Sequence, residues 1–207
     1  HNNGTLCTAV FDNVTGFALG AIPTSLYNLA GEGTVIADNG IVLGGTLGPG
    51  DGGPGKLTMQ GDLTFEPDAT FDVDILGFAP GTEHDQVAFQ GDGNSPTLND
   101  ALLDLFTPIG TFQQDDVCNW AVLMDIGDPT AYADGIFSYV NPLTGLTEAL
   151  PEGASFIDGN GAYFWQISYQ YEGNDVAIHL TGIPEPATMA LLGLGALALL
   201  RRRRRQA

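Results

Sequence analysis

Basic residues are almost missing from the first 182 positions. Lys56 stands alone there against 24 Asp and Glu, a formal charge of −23, and Arg201 to Arg205 are the other five cations of the 207-residue chain. So acidic a surface repels phosphate backbones and anionic lipid, which excludes nucleic acid as a partner of the body. It draws cations instead, Ca²⁺ among them. Cysteine is limited to Cys7 and Cys118. With no further Cys or His at ligand spacing these make no zinc site. In an oxidising compartment they are a candidate disulfide, closing a loop long enough to stabilise by up to ~4–5 kcal/mol; otherwise they are small buried side chains. Gly-x-Ser-x-Gly, His-Glu-x-x-His and phosphate-loop patterns are all lacking. No basic stretch followed by an apolar one lies near His1, so an exported form is expected to carry its leader upstream.

What is present is turn chemistry: 29 glycines and 12 prolines, spread between short apolar runs. Period-2 alternation dominates. Leu57 and Met59 alternate with Thr58 and Gln60; Phe71, Val73 and Ile75 with Asp72 and Asp74; Val176, Ile178 and Leu180 close the body. Turns are expected at Pro49-Gly50-Asp51-Gly52-Gly53, Gly61-Asp62, Glu66-Pro67-Asp68 and Gly159-Asn160-Gly161. Asn99–Phe106 is the one body segment read as a helical turn, capped by Asp100 and ended by Pro108. The fold class is therefore all-β. Two architectures compete for residues 1–182: a β-solenoid of stacked rungs and an antiparallel β-sandwich. No fixed repeat period is visible.

The last 25 residues read differently. Pro184, Glu185 and Pro186 precede an uncharged apolar run, Ala187–Leu200, and then Arg201, Arg202, Arg203, Arg204 and Arg205. Fourteen residues make a helix of roughly 21 Å, short for a ~30 Å hydrocarbon core unless the arginines snorkel. Five arginines beside it argue against burial in a protein core, and they orient the segment with its end in the cytoplasm and the body outside. These residues resemble the PEP-CTERM sorting signal of Gram-negative bacteria. The resemblance implies a C-terminal transmembrane sorting helix over residues 183–207 and a partner, an exosortase-type membrane transpeptidase, that cuts near the motif. It also implies a transient inner-membrane anchor, then a cell-surface or extracellular location, with association to exopolysaccharide and biofilm matrix. A plain tail anchor is the competing reading of the segment.

A second resemblance lies in the body. Gly45-Thr46-Leu47-Gly48-Pro49-Gly50, Gly55-Lys56-Leu57-Thr58 and a Gly-Asp-Leu-Thr-Phe run look like autotransporter-associated passenger repeats, as do Leu150–Phe156 and Gly173-Asn174-Asp175-Val176. This resemblance implies a right-handed parallel β-helix. Residues 94–140 depart from its pattern and read as an insertion. No translocator barrel accompanies it.

Chemistry-bearing side chains are few. Glu83-His84-Asp85 sit side by side, but neighbours in an extended chain point to opposite faces, so His84 reads as a loop histidine. His179 reads as solvent-facing, between Ile178 and Leu180. Asp72 and Asp74 share a strand face, and a carboxylate pair serves glycosidases or Ca²⁺, or is simply the wet face. Asp115-Asp116 and Asp158-Gly159-Asn160 are loop acids without EF-hand spacing. Tyr163, Phe164, Trp165, Tyr169 and Tyr171 are available to stack on sugars or to pack a core. No metal site and no cofactor is expected, with Ca²⁺ the one candidate ion. The expected function is non-enzymatic: an exported structural or adhesive protein of the cell surface or matrix. The rivals are a carbohydrate-active enzyme and a Ca²⁺-dependent adhesin.

Overall fold

The computed structural model describes residues 7–19, 24–50 and 52–183, with side chains from Ser25 onward. Its first strands are long: β1 (Cys7–Leu19) lies parallel on β2 (Thr24–Ala37). Thereafter each turn of the chain is broken by corners, most of them bearing glycine, into three short strands. These are β3 (Ile41–Leu43), β4 (Thr46–Pro49) and β5 (Lys56–Gln60), then β6 (Leu63–Phe65), β7 (Thr70–Asp74) and β8 (Gln86–Phe89). The next turn carries β9 (Pro96–Thr97), β10 (Leu102–Phe106) and β11 (Trp120–Ile126).

Every pairing among these strands is parallel, and each strand lies on the one a full turn earlier. β2, β3, β6 and β9 form one stack; β2, β4, β7 and β10 a second; β2, β5, β8 and β11 a third. The sheet thus coils around a single core. After β11 the direction changes. β12 (Phe137–Val140) still lies parallel on β10, through Leu102 and Ser138, but β13 (Thr147–Leu150) turns back antiparallel on β12. β14 (Ser155–Ile157), β15 (Phe164–Tyr171) and β16 (Asp175–Gly182) form an antiparallel meander, and β16 docks antiparallel on β11. The sheet that results is nearly closed, with β13 and β14 as its two ends.

Alternation decides which residues go inward. In β7, Phe71 and Val73 are buried while Asp72 is exposed. Parallel register then lays like on like: Leu47 on Phe71 on Leu103, and Leu57 on Val87 on Met124. Phe65, Phe71 and Phe137 cluster with centroids 5.9–6.3 Å apart. Each such side chain contributes about 1.5–3 kcal/mol of transfer free energy. Corners demand glycine where coils touch. At Gly61 φ is +133°, and a Cβ there would run into the carbonyl oxygen of Ala37 one coil below.

The structure corrects two sequence expectations. Residues 94–140 do not interrupt the stack: β9, β10 and β11 lie in register on β6, β7 and β8, and Asp134 bridges to Thr97 to begin a further coil. The pattern looked broken because corner loops lengthen. Equivalent positions in the first stack lie 17 residues apart (Thr24 to Ile41), then 22 (to Leu63), 33 (to Pro96) and 37 (Thr97 to Asp134). Nor does a helical turn form over Asn99–Phe106. Asn99 and Asp100 have positive φ, a conformation these side chains tolerate better than most, and Leu102 then enters β10. Among the described residues the one helical element is a 3₁₀ turn at Gln114–Asp116.

Candidate functional site

Parallel stacking turns a single acid into a row. Asp72 of β7 and Asp104 of β10 are register partners on the outer face of the second stack, and Asp74 lies two positions along from Asp72. Asp72 is exposed and Asp74 half-buried, as a strand's wet face requires. Asp85 joins them from the β7–β8 corner although it is only 3% exposed. Its Oδ1 accepts the Gly55 amide at 2.7 Å and its Oδ2 the Asp74 amide at 2.8 Å, tying one coil to the next. Asp72, Asp74 and Asp85 line a groove floored by the Gly48–Gly50 corner, with a cavity volume of about 290 Å³.

Burial raises the carboxyl of Asp85 to about 7, against the lowering effect of its two amide donors. Asp72 is raised by burial first and then by the charges of Asp104 and Asp74; Asp74 is raised by burial alone. The row therefore holds acids of unequal strength side by side, a chemistry able to bind cations or to pass a proton near neutral pH. Asp85 was not legible as a member of this row, because the corner loop from Ile75 to His84 brings it back against Asp74. The sequence signal lay next door: Ala88, on the outward parity of β8, is buried, so that strand is covered on both faces.

His84 lies in the corner loop between β7 and β8, as expected, and is fully buried there. Its Nε2 lies 3.1 Å from the Val122 carbonyl, a group also engaged by the Gln86 amide at 3.2 Å. Burial lowers its pKa below the ordinary histidine value. His179 is half-buried rather than solvent-facing, because Trp120 packs on it at 4.3 Å and Tyr171 stacks on Trp120 at 4.7 Å. Of the five aromatics of the late strand, Tyr163, Trp165 and Tyr169 go into the core; Phe164 is exposed and Tyr171 half-buried. The tyrosine hydroxyls act as clamps. Tyr163 accepts the Gly110 and Phe112 amides, and Tyr169 accepts Phe137 N–H while donating to Leu150 C=O.

Two of the loop acids make local hydrogen bonds. Asp116 accepts the Gln113 amide, and Asp158 Oδ1 accepts the Ala162 and Tyr163 amides while its Oδ2 is buried without a partner. Among the described residues no three His, Cys, Asp or Glu side chains gather as a metal site. Cys118 is exposed, with φ +80°; the side chain of its candidate partner, Cys7, lies outside the described residues. So do Pro184, Glu185, Pro186, Ala187–Leu200 and Arg201 to Arg205. No helix among the described residues is long and apolar enough to cross a membrane.

An all-β body followed immediately by a Pro-Glu-Pro, apolar and arginine sequence defines an exported protein carrying a C-terminal sorting segment. Residues 182–205 match the PEP-CTERM protein-sorting motif, beginning on the last residue of β16. The motif marks the chain as an exosortase target, sorted by way of the membrane and recognised by an exosortase-type membrane protein. The match does not extend into the body. No curated protein and no solved structure matches the chain.

Proposed function

We propose that the chain is a non-enzymatic surface or matrix protein whose body is freed from, or transferred out of, the inner membrane by exosortase cleavage near Pro184-Glu185-Pro186. The observation that carries this reading is the sorting motif abutting the last strand of the body. The tail begins where β16 ends, so a cut at Pro184-Glu185-Pro186 spares every strand of the body and leaves Ile183 packed against its core. The coil supports a structural or adhesive role: stacked short strands give a long, regular outer surface from few residues. A stacked parallel coil is what the resemblance to passenger-type repeats implies, and a right-handed turn is the sense a parallel crossover takes. Extracellular polysaccharide is the proposed partner of the body.

Mass spectrometry of the C-terminus of protein recovered outside the cell is the direct test. The expected product ends near the Pro-Glu-Pro motif, and replacement of Pro184, Glu185 and Pro186 by alanine holds the full chain in the membrane fraction. Recovery of extracellular protein with Arg201 to Arg205 intact would sink the processing reading.

One observation favours a second reading, a carbohydrate-active enzyme. Asp85, with its carboxyl at about 7, shares a groove with the exposed Asp72, an arrangement of the acid-plus-carboxylate kind. Turnover of exopolysaccharide abolished by Asp72→Asn would establish it. A Ca²⁺-dependent adhesin predicts a melting temperature that falls on chelation, since an ion held by the native state stabilises it.

A further inference from the structure

The nearly closed sheet has a seam. Its end strand β14 pairs with β15 alone, and across from it β10 pairs with β12 only through Leu102 and Ser138. Beyond Leu102, β10 presents its edge to a groove of about 120 Å³. Leu102, Leu105, Val140 and Phe156 wall this groove, and Asp104 and Asp158 bring two carboxylates to it. Leu102 N–H bonds to Ala69 on the β7 side, and Ala101 C=O accepts Ser138 N–H on the other. Alternation therefore turns both the N–H and the C=O groups of Leu103 and Leu105 towards the seam.

Asp158 is the unusual member. It is 1% exposed. Its Oδ1 is held by the Ala162 and Tyr163 amides at 2.7 and 3.0 Å, while Oδ2 is buried with no hydrogen-bond partner. A buried carboxylate oxygen without a donor is costly and rare, and it calls for an occupant that brings one. The body has little to offer: its only cationic side chain, Lys56, starts β5 on a different face of the coil.

We propose that this seam groove is a binding pocket for a primary alkylammonium group, with Asp158 Oδ2 as its anchor and Asp104 as a second carboxylate at its rim. The lining selects for that chemistry. Thr70 and Tyr139 bring hydroxyls that both donate and accept, but the two carboxylates make the groove negative, so an anion is repelled and a donor-only head is favoured. Apolar walls fit a slim methylene stem behind the charge, as Lys side chains are accommodated elsewhere. A metal ion is a poorer fit, because two carboxylates here lack a third ligand of that kind. The ligand source is either a free short-chain amine or a lysine side chain. The inference rests on the body alone and is independent of the sorting reading.

The test is a titration of the full chain in detergent, followed by calorimetry and by chemical shifts, at constant ionic strength. The probes are n-butylammonium chloride, Nα-acetyl-lysine amide and, as a neutral control, n-butanol. Saturable binding of n-butylammonium but not butanol is expected, weakened roughly tenfold or more by Asp158→Asn, since one charge-assisted bond is lost. Asp104→Asn, at an exposed position of β10, is expected to weaken binding less and keeps the test open if the Asp158 variant does not fold. Acetyl-lysine amide binding as well as butylammonium identifies lysine side chains as the source; butylammonium alone identifies free amines. Equal binding of butanol, affinity unchanged in both variants, or a crystal structure with only a water on Asp158 Oδ2 in saturating butylammonium overturns the proposal.

Discussion

Two buried neighbours, His84 and Asp85, set opposite pH dependences on the fold. Asp85 has a folded pKa above its unfolded value, so the native state binds the extra proton between about 4 and 7. Its contribution to stability is greatest at the acid end of that window and falls as pH rises through it. His84 has a folded pKa below the ordinary 6.5, so its contribution is present at neutral pH and is lost as pH falls. The Asp85→Asn protein is expected to lose about 1–3 kcal/mol at pH 5, because one of two accepted amide bonds goes. It is also expected to show a shallower fall in melting temperature between pH 5 and 8 than the wild type, measured by calorimetry across that range. A slope identical to wild type would mean that Asp85 is not the group being titrated. In the core, Phe71→Ala removes a ring packed against Phe65 and Phe137 and should cost about 3–5 kcal/mol in chemical denaturation.

At the scale of the element, what could be read in advance followed the physics of a single strand. Leu57-Thr58-Met59-Gln60 and Phe71-Asp72-Val73-Asp74 carry their own in–out assignment, and both are strands with the expected residues buried. The shared face of Asp72 and Asp74 came from the same rule. What a lone strand does not carry is its partner. Register between coils is set by corner loops, and these vary from coil to coil, so no period announced that Thr97 lies beside Asp134 or Asp104 beside Asp72. For the same reason Asp85 and Asp158, both named in the sequence among candidate clusters, could not be placed in the groove and the seam in advance: each is brought in by a loop. The continuity of β9–β11 with the stack has a direct test. Deleting residues 94–140 should abolish cooperative unfolding and leave the remainder protease-sensitive, because Leu63, Phe71 and Val87 lose the layer above them. A separable insertion would leave a folded remainder.

For the molecule as a whole, charge is the dominant unbalanced quantity. With 24 acids and one base before residue 183, the compact state is strained by self-repulsion that salt relieves. The melting temperature of the body is expected to rise between 0.05 and about 0.5 M NaCl, with most of the gain below the salt at which the Debye length reaches ~5 Å. Removing the arginine tail should steepen that dependence, since cleavage takes the formal charge from −19 to −23.

The antiparallel meander at the end of the coil also makes the body a directional object. β16 occupies the place where another parallel strand would lie on β11, and the reversal of direction bars a further coil at that end. The sorting tail leaves from the same strand. Among the described strands β1 lies at the opposite end of the stack from β16. Each coil adds about 4.8 Å along the stack. The length of the stack is then a matter of counting turns, and turns added away from β16 leave the end that bears the sorting segment undisturbed.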